Sequence, residues 1–187
     1  MTVVAAMIDD ATGTVVIGTD SRGTGWTKAD YGGKIVRMSE SCAVAFAGTY
    51  LLPTWLLSEA VAPPDPTPRA IAQWWASWRA WARGQGNGRV TDDGAMNVEG
   101  SAILCVPGGI YLLHMDGSVI QPEDGYAAMG SGEGVALGAL ATARALRTPA
   151  ARAVPLAVRA AILHASGCGG AVHIQAIWGS DHPSDTP

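Results

Sequence analysis

A threonine follows the initiating methionine, and once exposed it would carry a nucleophile and a base on one residue. The β-hydroxyl of Thr2 attacks, and the α-amine freed by removal of Met1, or a water beside it, takes the proton. Lys34 stands 32 residues further on, where a compact ammonium would help keep that amine neutral and polarise the hydroxyl. Asp20 closes an apolar segment, and a hairpin would return it to the chain start to orient Lys34 and hold it charged. Ser131, inside Gly130-Ser131-Gly132-Glu133-Gly134, offers a hydroxyl that can pass a proton. The chain has ten arginines and two lysines, Lys28 and Lys34. That imbalance reflects either codon usage or a need for lysine where arginine cannot serve.

Two other groupings compete for the chemistry. The Gly-rich stretch at 130–134 precedes a helix, as a phosphate cradle does, but lacks GxGxxG spacing and the GK[ST] of a P-loop. Met129 also stands where GxSxG needs its first glycine. His164 and Cys168 would share a helix face only if Gly167 did not interrupt it, so Cys168 reads as a buried structural thiol. The histidines at 114, 164, 173 and 182 lack metal-ligand spacing, and no cofactor or metal is expected.

Thr2 opens an apolar run to Ile8, and residues 2–9 and 13–20 read as strands joined by the turn Asp9-Asp10-Ala11-Thr12-Gly13. A polar loop spans 21–33, followed by strands at 34–38 and 42–47. A helix is expected over 50–61, with Pro53 in its first turn. A proline-rich connection at 62–68 leads to a second helix over 68–83, capped by Thr67 with Pro68 at its first position. Trp74, Trp75, Trp78 and Trp81 crowd this helix at a spacing that suits packing better than a ligand box. After a loop at 85–94, strands recur at 101–106, 110–114, 119–121 and 126–129. Helices over 134–147 and 152–165 precede a last strand at 171–178. Strands, two helices, strands, two helices and a strand fit two packed antiparallel sheets with helices outside.

The 187 residues suit one domain over 1–179, with 180–187 as a frayed tail. A net charge of −4 argues against nucleic acid or an anionic membrane as partner. No apolar run is long enough to span a bilayer, and without a basic n-region followed by an apolar h-region at the start, secretion is not expected. Three widely spaced cysteines, Cys42, Cys105 and Cys168, fit a reducing cytoplasm.

Together these segments resemble the proteasome β-subunit and HslV family of N-terminal nucleophile hydrolases. The resemblance is carried by Thr2-Val3-Val4-Ala5-Ala6, Gly18-Thr19-Asp20-Ser21, Gly33-Lys34-Ile35-Val36-Arg37 and Val44-Ala45-Phe46-Ala47-Gly48, and by residues 121–132 from Gln121 to Gly132. It covers roughly 1–49 and 99–178, in the family's order. It implies an α+β, four-layer αββα sandwich and a threonine peptidase with Thr2 as nucleophile and Asp20, Lys34 and Ser131 in support. It further implies that the backbone N–H of Ala45 serves an oxyanion hole and that Ala47 pairs with an extended peptide substrate. Unfolded polypeptides or peptides as substrates, a homo-oligomeric ring and an AAA+ ATPase unfoldase follow from the same likeness. Two departures stand out: Thr2 is followed by Val3 where the family has a second threonine, and Ala165-Ser166-Gly167-Cys168-Gly169-Gly170 replaces Asp-x-x-Ser-Gly-Gly. An inactive ring-building subunit, an Anbu-like protein and an amidohydrolase of small substrates are the alternative readings.

Overall fold

Thirteen strands and four helices are laid out in the computed structural model, which describes residues 2–24, 28–30, 33–63, 66–90 and 96–178. The first half comprises β1 (Val3–Ile8), β2 (Val15–Asp20), β3 (Arg22–Thr24), β4 (Lys28–Asp30), β5 (Ile35–Ser39), β6 (Cys42–Ala47), α1 (Leu51–Ser58) and α2 (Pro68–Gly84). The second comprises β7 (Arg89–Val90), β8 (Met96–Asn97), β9 (Ser101–Val106), β10 (Gly109–Leu113), β11 (Val119–Ile120), β12 (Tyr126–Gly130), α3 (Glu133–Ala145), α4 (Ala150–His164) and β13 (Val172–Ile177).

Two antiparallel sheets form the centre. One runs β12-β1-β2-β13 and the other β11-β10-β9-β6-β5. The unbroken apolar run of β1 has a simple cause: both of its faces are covered. Val3, Ala5 and Met7 pack toward α3 and α4 with Ala136, Leu140, Val154 and Val158. Val4 and Ala6 point the other way and meet Ala43, Ala45, Ile103 and Cys105 between the sheets. β6 and β9 alternate in the same manner, sending Val44, Phe46, Ala102 and Leu104 outward against α1 and α2. Three apolar seams therefore glue four layers, an αββα sandwich.

The helices sit close where the sequence allows it. Gly18 on β2 lies under α4, and a Cβ there would fall 2.8 Å from Val154 and 2.5 Å from Ile174. The α2 tryptophans are packing residues. Trp75 and Trp78 are fully buried, Trp55 of α1 leans on Trp74 and Trp78, and Trp75 Nε1–H donates to the His114 carbonyl at 2.8 Å. Thr67 caps α2 as expected, accepting from the Ala70 N–H at 3.3 Å.

Some boundaries differ from the sequence reading. The polar stretch at 21–33 contains the short hairpin β3–β4 rather than a plain loop. The first helix stops at Ser58, where the Glu59 and Ala60 N–H groups both turn back to the Trp55 carbonyl. β7 falls inside the loop expected at 85–94 and pairs with β8 just beyond it. The expected tail at 180–187 lies outside the described residues, as does Met1.

Candidate active site

The β1–β2 register sets Val4 opposite Thr19, so Asp20 arrives beside the start of β1. Its Oδ1 accepts the Val3 N–H at 3.1 Å and the Thr2 hydroxyl at 3.0 Å. Lys34 comes from the other sheet, one residue before β5. Its Nζ lies 2.6 Å from Asp20 Oδ1 and also donates to Thr2 Oγ1 and to the Arg22 carbonyl. Thr2, Asp20 and Lys34 are 4%, 0% and 4% exposed, so this ion pair and hydroxyl are shielded from solvent competition. The Thr2 nitrogen donates to Ser131 Oγ at 3.1 Å, and Ser131 Oγ donates back to the Thr2 carbonyl at 3.3 Å. All four side chains singled out in the sequence meet here.

Two backbone segments hold this cluster. The turn at Gly130-Ser131-Gly132 presses on the chain start. Gly130 has a φ of +94°, and a Cβ on it would lie 2.3 Å from the Thr2 carbonyl oxygen. A Cβ on Gly132 would fall 2.8 Å from Cys168 Sγ and 2.9 Å from Val3 Cβ. Close approach, and no phosphate cradle, accounts for these glycines. The loop after α4 supplies what sequence reasoning missed. Gly169 N–H donates to Asp20 Oδ2 at 3.0 Å, and Ala171 N–H donates to Ser21 Oγ at 2.8 Å. Cys168 Sγ stands 3.7 Å from Ser131 Oγ. Burial pushes this thiol's pKa up, against thiolate reactivity. His164 ends α4 at an exposed position, and no hydrogen bond or ion pair joins it to Cys168.

Ala45 and Ala47 occupy a different relation to the cluster. Ala45 is 0% exposed, paired with Ile35 on one side and Ile103 on the other. Phe46 N–H bonds the Lys34 carbonyl at 3.2 Å, which fixes the alternation along β6. The N–H groups of Ala45 and Ala47 consequently turn toward β9, and the next N–H on the β5 side after Phe46 belongs to Gly48. A cavity of about 30 Å³ adjoins Thr2, lined by Gly23, Lys34, Phe46, Ala47, Gly48 and Tyr50. Among the described residues no cluster of three or more His, Cys, Asp or Glu is placed to hold a metal, and no helix is long and apolar enough to cross a membrane.

Fold and cluster together define a sandwich of the proteasome and HslV type, with a threonine at its first strand held by lysine, aspartate and serine. The solved structures agree with this fold. BPH from Thiobacillus denitrificans superimposes with a TM-score of 0.82 at 22% identity, covering 96% of this chain and 99% of that one. The same protein in complex with epoxomicin gives 0.76 at 22%, with 94% and 98% covered. HslV from Trypanosoma brucei gives 0.67 at 22%, with 95% and 99% covered. No protein-family model and no curated protein sequence matches the chain.

Proposed function

We propose that this chain is a threonine peptidase that cleaves peptide bonds through an acyl-enzyme on Thr2 after loss of Met1. The observation that carries the reading is the setting of the Thr2 hydroxyl. It lies between the Lys34 ammonium and the Asp20 carboxylate, while the Thr2 nitrogen rests on Ser131.

With Met1 gone, that nitrogen is a primary amine. It takes the hydroxyl proton as Oγ1 bonds the substrate carbonyl carbon, and Lys34 stabilises the charge on the attacking oxygen. The tetrahedral adduct collapses, its C–N bond breaks, and the leaving amine receives the proton. A water then attacks the ester, giving one proton to the Thr2 amine; the carboxylic product departs as Oγ1 is reprotonated. Ser131 holds the amine and can relay its proton. The Gly48 N–H, on the open side of β6, is the donor aimed at the developing oxyanion, in place of Ala45. Beside it, the rim of Ala47 and Gly48 receives the extended substrate.

Unfolded polypeptides or peptides are the substrates, and the chemistry requires no cofactor. Assembly into a homo-oligomeric ring in the cytoplasm, fed by an AAA+ ATPase unfoldase, completes the reading. The neighbour solved with epoxomicin supports it by likeness of fold. Hydrolysis of a fluorogenic peptide by wild type and Thr2→Ala, with native mass recorded for both, tests it. The expected result is lost turnover with unchanged assembly; undiminished turnover in the variant removes Thr2 from the mechanism.

A further inference from the structure

Glycine fills three of the four positions from Gly167 to Gly170 in the loop after α4, so side-chain bulk there does little to fix the backbone. Three consecutive residues between β2 and β3 hold it instead. Asp20 Oδ2 accepts the Gly169 N–H at 3.0 Å, and Ser21 Oγ accepts the Ala171 N–H at 2.8 Å. The Arg22 N–H donates to the Gly169 carbonyl at 3.1 Å, and the Arg22 guanidinium donates to the Cys168 carbonyl at 3.5 Å. That guanidinium lies against Gly169: a Cβ there would fall 2.7 Å from Arg22 Nε and closer still to Cζ and Nη1. Gly169 is outside the left-handed region, so the approach of Arg22, not backbone conformation, calls for glycine here. Arg22 is not among the residues that line the cavity beside Thr2.

Resting on the peptidase reading, we infer that the Arg22 side chain is a positioning element of the site, holding the Cys168–Gly169 peptide so that its N–H stays aimed at Asp20. The Cys168 carbonyl and the Gly169 N–H belong to one planar trans peptide and point opposite ways. A donor that holds the carbonyl therefore sets the direction of the N–H. The other oxygen of Asp20 takes the Thr2 hydroxyl and Lys34 Nζ. A loop that drifts misaligns the bond to Oδ2 and frees the carboxylate to rotate, and with it the partners of Oδ1. The loss reaches the nucleophile and leaves substrate contacts in place, which means a lower kcat at constant KM.

Fluorogenic-peptide kinetics on the full chain test this with a cycle of Arg22→Ala, Gly169→Ala and the double variant, each compared at equal folded concentration. Arg22→Ala is expected to lower kcat about tenfold or more, with KM within about twofold of wild type. The methyl of Gly169→Ala displaces the guanidinium and is expected to reproduce that loss. Because both changes remove one contact, the double variant is expected to match either single one. If Arg22→Ala does not fold, Arg22→Lys takes its place, and Gly169→Ala is expected to cost less kcat on that background than on wild type. Unchanged kcat in a folded Arg22 variant, a change confined to KM, or losses that multiply in the double variant overturn the positioning role and leave the peptidase reading intact. Absence of turnover in wild type overturns both.

Discussion

Lys34 Nζ lies 2.6 Å from Asp20 Oδ1, an ion pair that bridges the two sheets with both side chains almost wholly buried. Neither partner can be removed cheaply, because the other would remain as an uncompensated charge. Asp20 also accepts the Val3 and Gly169 N–H groups, so it ties the chain start to the loop after α4.

Asp20→Ala should therefore lower stability by about 3–5 kcal/mol as well as abolish activity. Denaturant unfolding of the variant reads the first effect. A loss below about 1 kcal/mol would mean that the pair is not structurally coupled in this way.

Lys34→Arg keeps the charge but not the shape. The guanidinium has to fit where a single ammonium contacts Thr2, Asp20 and the Arg22 carbonyl. Peptide turnover should fall by about 10²-fold or more. Near-normal kcat would take Lys34 out of the site.

Cys168→Ser should leave turnover within about threefold, since a hydroxyl can keep the contact with Ser131 at a smaller size. Cys168→Leu should cripple both folding and activity, because the Gly132 turn leaves no room beside the sulfur. Comparable activity in the two variants would contradict this packing.

Asp9 offers a separate handle on stability. Its Oδ2 accepts the Ala150 N–H at 2.9 Å and so caps α4 from the β1–β2 turn. That bond lowers the carboxyl pKa below its ordinary value of 3.8. The stabilisation is present above about pH 4 and is lost as pH falls through the lower folded-state value. Asp9→Ala should cost about 1 kcal/mol at neutral pH. Its stability should also fall less steeply with acid than that of wild type; parallel curves would exclude the linkage.

Much of the scaffold was legible because each central strand is apolar on both faces, as in Val3–Ile8, and because Thr67-Pro68 and the Asp9–Gly13 turn carry strong local signals. β3 escaped because Arg22-Gly23-Thr24 is short and polar. The hairpin signal alone brings Asp20 back to the chain start, whereas the approach of Ser131, 129 residues away, rests on the likeness to a known family. The facing of Ala45 could not be read at all. It depends on which N–H groups of β6 face β5, fixed here by the Phe46 N–H bond to the Lys34 carbonyl, which no residue type announces. The Gly169 bond to Asp20 was hidden for a similar reason, since a backbone N–H leaves no mark in the sequence.

In the proposed mechanism Thr2, freed of Met1, is the nucleophile. Intact mass and fragment sequencing of the purified protein after exposure to a peptide vinyl sulfone, whose double bond takes up a nucleophile and its proton, decide this. The expected product is a chain that begins at Thr2 and carries one probe on that residue. Retained Met1 without adduct, or an adduct confined to another residue, would contradict it.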